Sequence, residues 1–76
     1  MEIRYSKQAI KFLQKQDKPT RLRIDAAINK LPIGDVKKLQ GSIYYRLRVG
    51  DFRIIFDRNG NIIHILKIDS RGDSYK

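Results

Sequence analysis

The segment YYRLRVGDFRIIF, residues 44–56, indicates more about the fold than any other stretch of this 76-residue chain. Apolar and charged residues alternate through its first half, which predicts a half-buried strand over residues 43–49. Gly50-Asp51 is typical of a two-residue hairpin loop in which the glycine supplies a positive φ. Residues 52–57 are predicted to be the returning strand. This hairpin contains three arginines: Arg46, Arg48 and Arg53.

The residues on either side of the hairpin complete an α+β pattern. A second turn signal, Asn59-Gly60, precedes an apolar strand predicted over residues 61–69. Residues 1–6 alternate as a short strand, and two helices are predicted over residues 7–17 and 19–31. The expected fold class is therefore α+β, with a two-helix hairpin packed on one face of a small, mainly antiparallel sheet.

The predicted helices have recognisable starts. The side chain of Ser6 is placed to cap the first helix, because it precedes an amphipathic run. Pro19 suits the first turn of the second helix, where its missing N–H costs no hydrogen bond. An apolar stripe at helical spacing marks the core-facing side of the second helix: Ile24, Ala27, Ile28 and Leu31.

The composition limits the possible functions. Residues 1–76 are too few for two independent cores, so a single domain is expected. There are 17 Lys and Arg residues against 8 Asp and Glu, a net charge of +9. Such an excess indicates a negatively charged partner, which could be nucleic acid, an anionic membrane or an acidic protein.

Several classes of site and location are excluded. The chain has no cysteine, so disulfides and thiolate metal sites cannot form, and its single histidine, His64, cannot anchor a zinc ion without help from carboxylates. We expect no metal and no small-molecule cofactor. No signal peptide and no long apolar run is present, so we expect a cytoplasmic protein that is not in a membrane.

The loop lengths predict a register, and the register sorts the side chains between the two sheet faces. If both turn dipeptides are two-residue loops, Arg48 lies opposite Arg53, Arg46 opposite Ile55, Ile55 opposite His64, and Arg53 opposite Leu66. One face is then apolar and packs on the helices: Leu47, Val49, Phe52, Ile54, Phe56, Ile63 and Ile65. The other face is mixed: Arg46, Arg48, Arg53, Ile55, His64, Leu66 and Ile68.

The mixed face concentrates positive charge. Like charges directly opposite each other on paired strands are destabilising, and a guanidinium cannot lose its proton near neutral pH. The predicted register places no nearby acid (Asp51, Asp57 or Asp69) between the arginines. We therefore expect the arginines to converge on an external anion, and phosphate matches forked guanidiniums well. The alternative is a solvated basic surface whose arginine stems cover apolar neighbours.

Two other residues are candidates for contact with RNA. Tyr44 is predicted to be exposed, by alternation with the core residue Tyr45, and could stack on a base. His64 on the mixed face could contact a nucleotide. A general acid or base role for His64 and a plain structural role as a strand residue are the alternatives.

The run KKLQGSIYYRLRVGDFRIIF, followed by ILKIDSRGDSYK, resembles the RelE/ParE superfamily of toxins from bacterial and archaeal toxin–antitoxin operons. The shared features are Leu39-x-Gly41, the arginine motifs around the Gly50-Asp51 turn, and a late arginine and tyrosine. The resemblance spans essentially the whole chain. It implies a RelE-like toxin of a type II toxin–antitoxin system, an mRNA interferase that cuts mRNA in the ribosomal decoding site. Its partners would be mRNA, ribosomal RNA and a cognate antitoxin protein.

The resemblance also implies catalytic roles. The nucleophile is the 2′-hydroxyl beside the scissile phosphate, and no metal takes part. Arg46 matches a position that contacts the phosphate, and Arg53 matches one that stabilises the transition state. Arg71 matches an arginine that stabilises the leaving group or phosphate, and Tyr75 matches a tyrosine that stacks on or activates the nucleotide. Arg48 matches a position better described as RNA-binding.

The chain departs from the superfamily pattern at two places. Tyr44 stands where some members have a second lysine, and Ser70-Arg71-Gly72 stands where His-Arg-Arg is frequent. Two other functions therefore stay open: a ParE-like poison of DNA gyrase, and a basic RNA-binding module without catalysis. The retained set of Arg46, Arg53, Arg71 and Tyr75 favours the nuclease, because a gyrase poison needs no arginines directed at a phosphate.

Overall fold

The computed structural model describes residues 2–70, which form two helices and a five-stranded sheet. The elements in chain order are β1 (Glu2–Tyr5), α1 (Lys7–Gln14), α2 (Lys18–Asn29), β2 (Asp35–Lys38), β3 (Tyr45–Val49), β4 (Phe52–Asn59) and β5 (Ile62–Ser70). The strand order is β1-β5-β4-β3-β2. All neighbouring strands are antiparallel except β1 and β5, which are parallel. The predicted α+β class is confirmed.

The helices begin where the sequence indicates. Ser6 accepts a hydrogen bond from the backbone N–H of Ala9 at 3.1 Å, and Pro19 lies in the first turn of α2. α1 ends earlier than predicted, because Asp17 caps α2 by accepting a hydrogen bond from the N–H of Thr20 at 3.2 Å. Neither helix is long and apolar enough to cross a membrane.

The core lies between the helices and one sheet face. Its buried residues are Ala9, Leu13, Ile24, Ile28, Leu31, Leu47, Val49, Ile54, Phe56, Ile63, Ile65 and Ile68. The predicted apolar face is confirmed, with Phe52 half-buried in an edge-to-face contact with Phe12 at 5.9 Å between ring centroids. Tyr45 also packs on the core side, stacked on Phe56 at 5.4 Å.

The edge strand β2 was not predicted. It has only four residues, and of these only Val36 is half-buried, opposite Leu47 of β3. So short a strand shows too little alternation to be recognised from sequence. It matters for function because it places Asp35 opposite Arg48.

The register of the β3–β4 hairpin is confirmed. Val49 lies opposite Phe52, which makes Gly50-Asp51 a two-residue loop, and Gly50 has a φ of 58°. Arg48 lies opposite Arg53, and Arg46 lies opposite Ile55. Glycine with positive φ at the first loop position is the arrangement that type II′ turns use.

The predicted register of the β4–β5 hairpin is wrong. Its loop is Gly60-Asn61, because Asn59 pairs with Ile62 in the ladder. Gly60 takes the positive φ, 62°, at the first loop position, whereas the prediction placed glycine second. His64 consequently lies opposite Asp57 and not opposite Ile55.

A β-bulge shifts this register further. Ile65 pairs with Phe56 but Lys67 pairs with Ile55, so Leu66 is the extra residue. A shift of one residue exchanges the faces of all the side chains beyond it. Ile68, predicted on the mixed face, is therefore fully buried in the core. Arg53 lies opposite Asp69 and not opposite Leu66.

Side chains from the start of α1 hold the bulge. β1 ends at Tyr5, so the outer edge of β5 beyond Ile65 has no strand partner. The hydroxyl of Ser6 donates to the carbonyl of Leu66 at 2.7 Å. The side-chain amide of Gln8 donates to the carbonyl of Ile68 at 2.9 Å and accepts from its N–H at 3.0 Å. These contacts satisfy backbone groups that a neighbouring strand would otherwise satisfy.

Candidate nucleic-acid interface

The sheet face opposite the helices, here called the open face, has four rows of side chains. Row one crosses the sheet beside the β3–β4 turn: Asp69, Arg53, Arg48 and Asp35. Row two is Lys67, Ile55, Arg46 and Lys37. Row three is Arg4, His64 and Asp57, and row four is Glu2, Ile62 and Asn59. Six arginine or lysine residues therefore share the face with three aspartates and one glutamate.

Row one shows how the repulsion between the two paired arginines is reduced. Arg48 and Arg53 lie directly opposite each other, with an aspartate at each end of the row. Arg53 donates from Nε to Asp69 Oδ1 at 3.3 Å and from Nη2 to Asp69 Oδ2 at 3.2 Å. As predicted, no acid lies between Arg48 and Arg53, but the bulge brings Asp69 opposite Arg53 on its other side, which the predicted register did not do. Two carboxylates thus offset the repulsion within the row.

Arg46 in row two has an unsatisfied donor. Its Nη2 lies 3.5 Å from Asp35 Oδ1, and only 21% of its side chain is exposed. Its Nε is buried and has no hydrogen-bond partner, the single such side-chain atom in residues 2–70. A buried unsatisfied donor costs about 1–3 kcal/mol. An anion oxygen that accepted from this nitrogen would recover that cost.

The three arginines share the open face, but their guanidiniums do not converge. Arg46 contacts Asp35 on β2, whereas Arg53 contacts Asp69 on β5. The two guanidiniums are therefore drawn in opposite directions along the same face, toward the strands that flank the β3–β4 hairpin. Arg48 is exposed and makes no hydrogen bond or ion pair within the described residues. The predicted convergence is therefore wrong for the free chain, since each paired arginine has a local carboxylate.

Lys67 is a residue of this face that the sequence reasoning missed. It lies opposite Ile55, with its Nζ 3.8 Å from Asp69 Oδ2 and 60% of its side chain exposed. Strict alternation would have placed it on the covered face. The adjacent apolar residues Ile65 and Leu66 break the alternation at the bulge, but Ile62 and Ile63 do so as well without one, so the sequence did not specify the bulge.

Row three contains the histidine. His64 Nδ1 lies 3.0 Å from Asp57 Oδ1, directly across the β4–β5 pair. On the other side His64 faces Arg4 of β1, which is hydrogen-bonded to Glu2. Tyr44, just before β3, is 39% exposed, as predicted. Arg71 and Tyr75 lie outside the described residues, so their assigned roles stay predictions.

Comparisons with known proteins show the family to which this chain belongs. The family model for the ParE toxin of the type II toxin–antitoxin system parDE matches residues 3–75. A chain of the RelB–RelE antitoxin–toxin complex from Methanococcus jannaschii is 30% identical, with a TM-score of 0.75 over 95% of this chain and 94% of that chain. A chain of the archaeal RelE–RelB complex from Pyrococcus horikoshii OT3 is 32% identical, with a TM-score of 0.75 over 93% and 94%.

A more distant structure shares the fold alone. A chain of the YoeB–YefM complex from Staphylococcus aureus is 23% identical, with a TM-score of 0.73 over 91% of this chain and 94% of that chain. No curated protein matches the sequence. The α+β fold is that of small toxins from type II toxin–antitoxin systems. The chain belongs to the ParE toxin family, within the RelE/ParE superfamily.

Proposed function

We propose that this toxin is a ribosome-dependent endoribonuclease that cuts mRNA in the decoding site. The supporting observation is the arrangement of the open face. Arg48 and Arg53 lie directly opposite each other, and the neighbouring Arg46 has a buried Nε with no partner. Guanidinium groups in this arrangement are suited to a phosphodiester, because the planar fork of N–H donors matches phosphate oxygens.

The reaction is an attack of the 2′-hydroxyl on the adjacent phosphate. It leaves a 2′,3′-cyclic phosphate on one fragment and a 5′-hydroxyl on the other. The phosphorus passes through a five-coordinate state with additional negative charge, which donors held in place stabilise electrostatically. In this proposal Arg46 and Arg53 contact that charge, Arg71 stabilises the leaving group, and Tyr75 stacks on the nucleotide. Arg48, Tyr44 and His64 contact the RNA strand.

The substrate phosphate replaces two aspartates. In the free chain Asp35 and Asp69 occupy the guanidiniums of Arg46 and Arg53. Each pair has one exposed partner, Asp35 at 58% and Arg53 at 46%, and one partner that is more covered, Arg46 at 21% and Asp69 at 23%. Partly exposed ion pairs of this kind contribute about 1 kcal/mol or less. A phosphate that accepts from both guanidiniums would offset that cost.

We further propose that a cognate antitoxin binds the chain in the cytoplasm. The two archaeal relatives are chains of antitoxin–toxin complexes. A net charge of +9 and an open face with six cations against four carboxylates favour a partner with an acidic or amphipathic segment. Such a segment would cover the arginines and exclude RNA.

The test compares Arg53→Ala with Arg58→Ala. Both variants lose one arginine from β4, but Arg58 lies opposite the core residue Ile63 and so is not on the open face. We expect Arg53→Ala to slow mRNA cleavage on purified translating ribosomes by about 10²–10³-fold, as for loss of one transition-state donor. We expect Arg58→Ala to cut at the wild-type rate. Equal rates for Arg53→Ala and wild type would contradict the proposed site.

The match to the ParE family model favours a second candidate, a gyrase poison. Mapping of transcript ends and DNA breaks in cells that express the wild-type chain separates the two. Codon-phased cuts within translated frames support the nuclease. DNA breaks with intact transcripts support gyrase poisoning and exclude the nuclease. Neither lesion, with RNA binding retained, would indicate a basic RNA-binding module.

A further inference from the structure

Within residues 2–70, rows one and two contain no imidazole: their charged side chains are arginines, lysines and the carboxylates of Asp35 and Asp69, which are ion-paired to Arg46 and Arg53. Guanidiniums stay protonated at any physiological pH, and a lysine ammonium or a phenol ordinarily titrates near pH 10. The attack of a 2′-hydroxyl nevertheless requires that its proton be taken up. A base on the open face outside rows one and two would supply that step.

His64 has the geometry of such a base. It is the single histidine of the chain, and its imidazole lies on the open face with 38% of the side chain exposed. Its Nδ1 faces Asp57 Oδ1 at 3.0 Å. A carboxylate that accepts from Nδ1–H selects the tautomer in which Nε2 keeps its lone pair. Asp57 therefore orients the ring and leaves Nε2 able to accept a proton.

The surroundings of His64 keep this pair intact. From β4 the only charged group that faces it is Asp57, and from β1 the only one is Arg4, whose own charge is offset by its hydrogen bond to Glu2. No helix covers this side of the sheet in the described residues, because the helices pack on the opposite face. A strand of RNA can therefore approach the imidazole directly.

The register places this pair next to the arginines. Asp57 is two residues beyond Ile55 on the same strand and face, and Ile55 lies opposite Arg46. Asp57 and Arg46 are thus diagonal neighbours, a relation that separates Cα atoms by roughly 7–8 Å and lets long side chains meet. The strand positions of Arg46, Arg53, Lys67 and Asp57 surround that of Ile55. A phosphate above Ile55 would thus be within reach of Arg46 and Arg53 once they release Asp35 and Asp69, with the His64–Asp57 pair on the fourth side.

We propose that His64 is the general base of the cleavage and that Asp57 is its positioning residue, an inference that rests on the proposed nuclease function. His64 Nε2 takes the proton of the 2′-hydroxyl while that oxygen forms a bond to phosphorus. The bond between phosphorus and the 5′-oxygen breaks, and its electron pair leaves on that oxygen. A water molecule protonates the 5′-oxygen, and the resulting hydroxide takes the proton from the imidazolium and restores His64.

The experiment measures single-turnover cleavage of mRNA by the full chain on purified ribosome complexes from about pH 5.5 to 9. A rate that depends on an imidazole base rises over the range in which histidines lose their proton, about pH 5 to 8. We expect His64→Gln to lower the rate at least about 100-fold, within the usual range for general-base catalysis, and to abolish that rise. We expect Asp57→Asn to cause a smaller loss and to keep the rise.

A second measurement uses the wild-type chain and needs no substitution. Diethyl pyrocarbonate acylates histidine, and this chain has only one. Toxin treated and quenched before it meets the ribosome should lose activity in proportion to the ultraviolet absorbance of carbethoxyhistidine, and hydroxylamine should restore it. Because acylated tyrosine absorbs differently, this measurement tests the role of the imidazole even if His64→Gln fails to fold.

The possible outcomes separate the inference from the function on which it rests. If wild type cuts and Arg53→Ala does not, but His64→Gln and the acylated chain cut at the wild-type rate with the same pH profile, the base is not His64 and the nuclease stands. If wild type cuts no mRNA at any pH, the nuclease proposal fails and the inference fails with it. Loss of both rate and pH dependence in His64→Gln, with reversible inactivation by acylation, supports the inference.

Discussion

The two faces of the sheet are formed by alternating residues of the same strands, yet different interactions stabilise them. On the covered face Ile54, Ile63 and Ile65 are at most 1% exposed and pack against both helices. On the open face the contacts are ion pairs such as Arg53–Asp69, in which the Arg53 side chain is 46% exposed and that of Asp69 is 23% exposed. Apolar burial contributes far more per residue than an exposed ion pair. The covered face therefore supplies most of the stability of the fold, and residues of the open face can bind a ligand without being needed for folding.

The strongest test of this comparison lies at the bulge, where neighbouring residues occupy different faces. Ile68 is fully buried and Lys67 is largely exposed. We expect Ile68→Ala to lower the free energy of unfolding by about 2–5 kcal/mol, the usual cost of truncating a buried isoleucine. Lys67→Ala should change it by less than about 0.5 kcal/mol. Urea denaturation measures both values, and the reverse order would mean that Leu66 is not bulged.

The contacts that hold the bulge give the next largest effect. Gln8→Ala removes two hydrogen bonds to the backbone of Ile68. Because Gln8 is exposed, water can replace part of the loss, and we expect a destabilisation of about 1 kcal/mol. Gln14→Ala is the matched control, since Gln14 is also exposed on α1 and makes no side-chain hydrogen bond in residues 2–70. Equal unfolding midpoints for the two variants would show that Gln8 does not support β5.

A change of charge on the open face should affect RNA binding more than stability. Asp69→Asn releases Arg53 from its ion pair. We expect up to about fivefold tighter binding of single-stranded RNA, because a partly exposed ion pair contributes about 1 kcal/mol or less. Asp25→Asn removes the same charge from α2, on the other side of the molecule, and should tighten binding less. Titration of labelled RNA, followed by fluorescence anisotropy, measures the affinity of both variants. Equal affinities of Asp69→Asn and Asp25→Asn would imply that RNA binding depends only on net charge.

The smallest expected effect concerns the helices alone. The hydrogen bonds from Thr20 hold the pKa of Asp17 below its ordinary value. A carboxyl whose pKa is lower in the folded state contributes stability above its unfolded pKa, and that contribution is lost as the pH falls through the folded value. Asp17→Asn keeps an N-cap, so we expect unchanged stability near neutral pH and a shallower loss below about pH 4. Thermal unfolding measured across this pH range tests the prediction. If the Asp17 carboxylate contributed nothing, the melting temperatures of wild type and Asp17→Asn would fall equally steeply in acid.

The β3–β4 hairpin could be derived from sequence because its determinants are local. Gly50 and the alternation on either side of it specify both the loop and the register, so Arg48 was correctly placed opposite Arg53. The β4–β5 hairpin could not be derived in this way. Asn59-Gly60 fits two different loop placements, and the one that occurs makes Gly60 the first loop residue. The two hairpins have similar compositions, but only in the β3–β4 hairpin does the local sequence specify the register.

Periodicity within each element is a local property, and it was sufficient for the α+β class, the helix caps and a single open face shared by Arg46, Arg48 and Arg53. The partners of those arginines depend on contacts between distant segments. Ser6 and Gln8 hydrogen-bond to residues 60 positions away and hold the bulge at Leu66. That bulge turns Lys67 outward and brings Asp69 opposite Arg53. The charge balance of the site therefore emerges only when α1 packs beside β5, because no pattern within either segment specifies the position of the other.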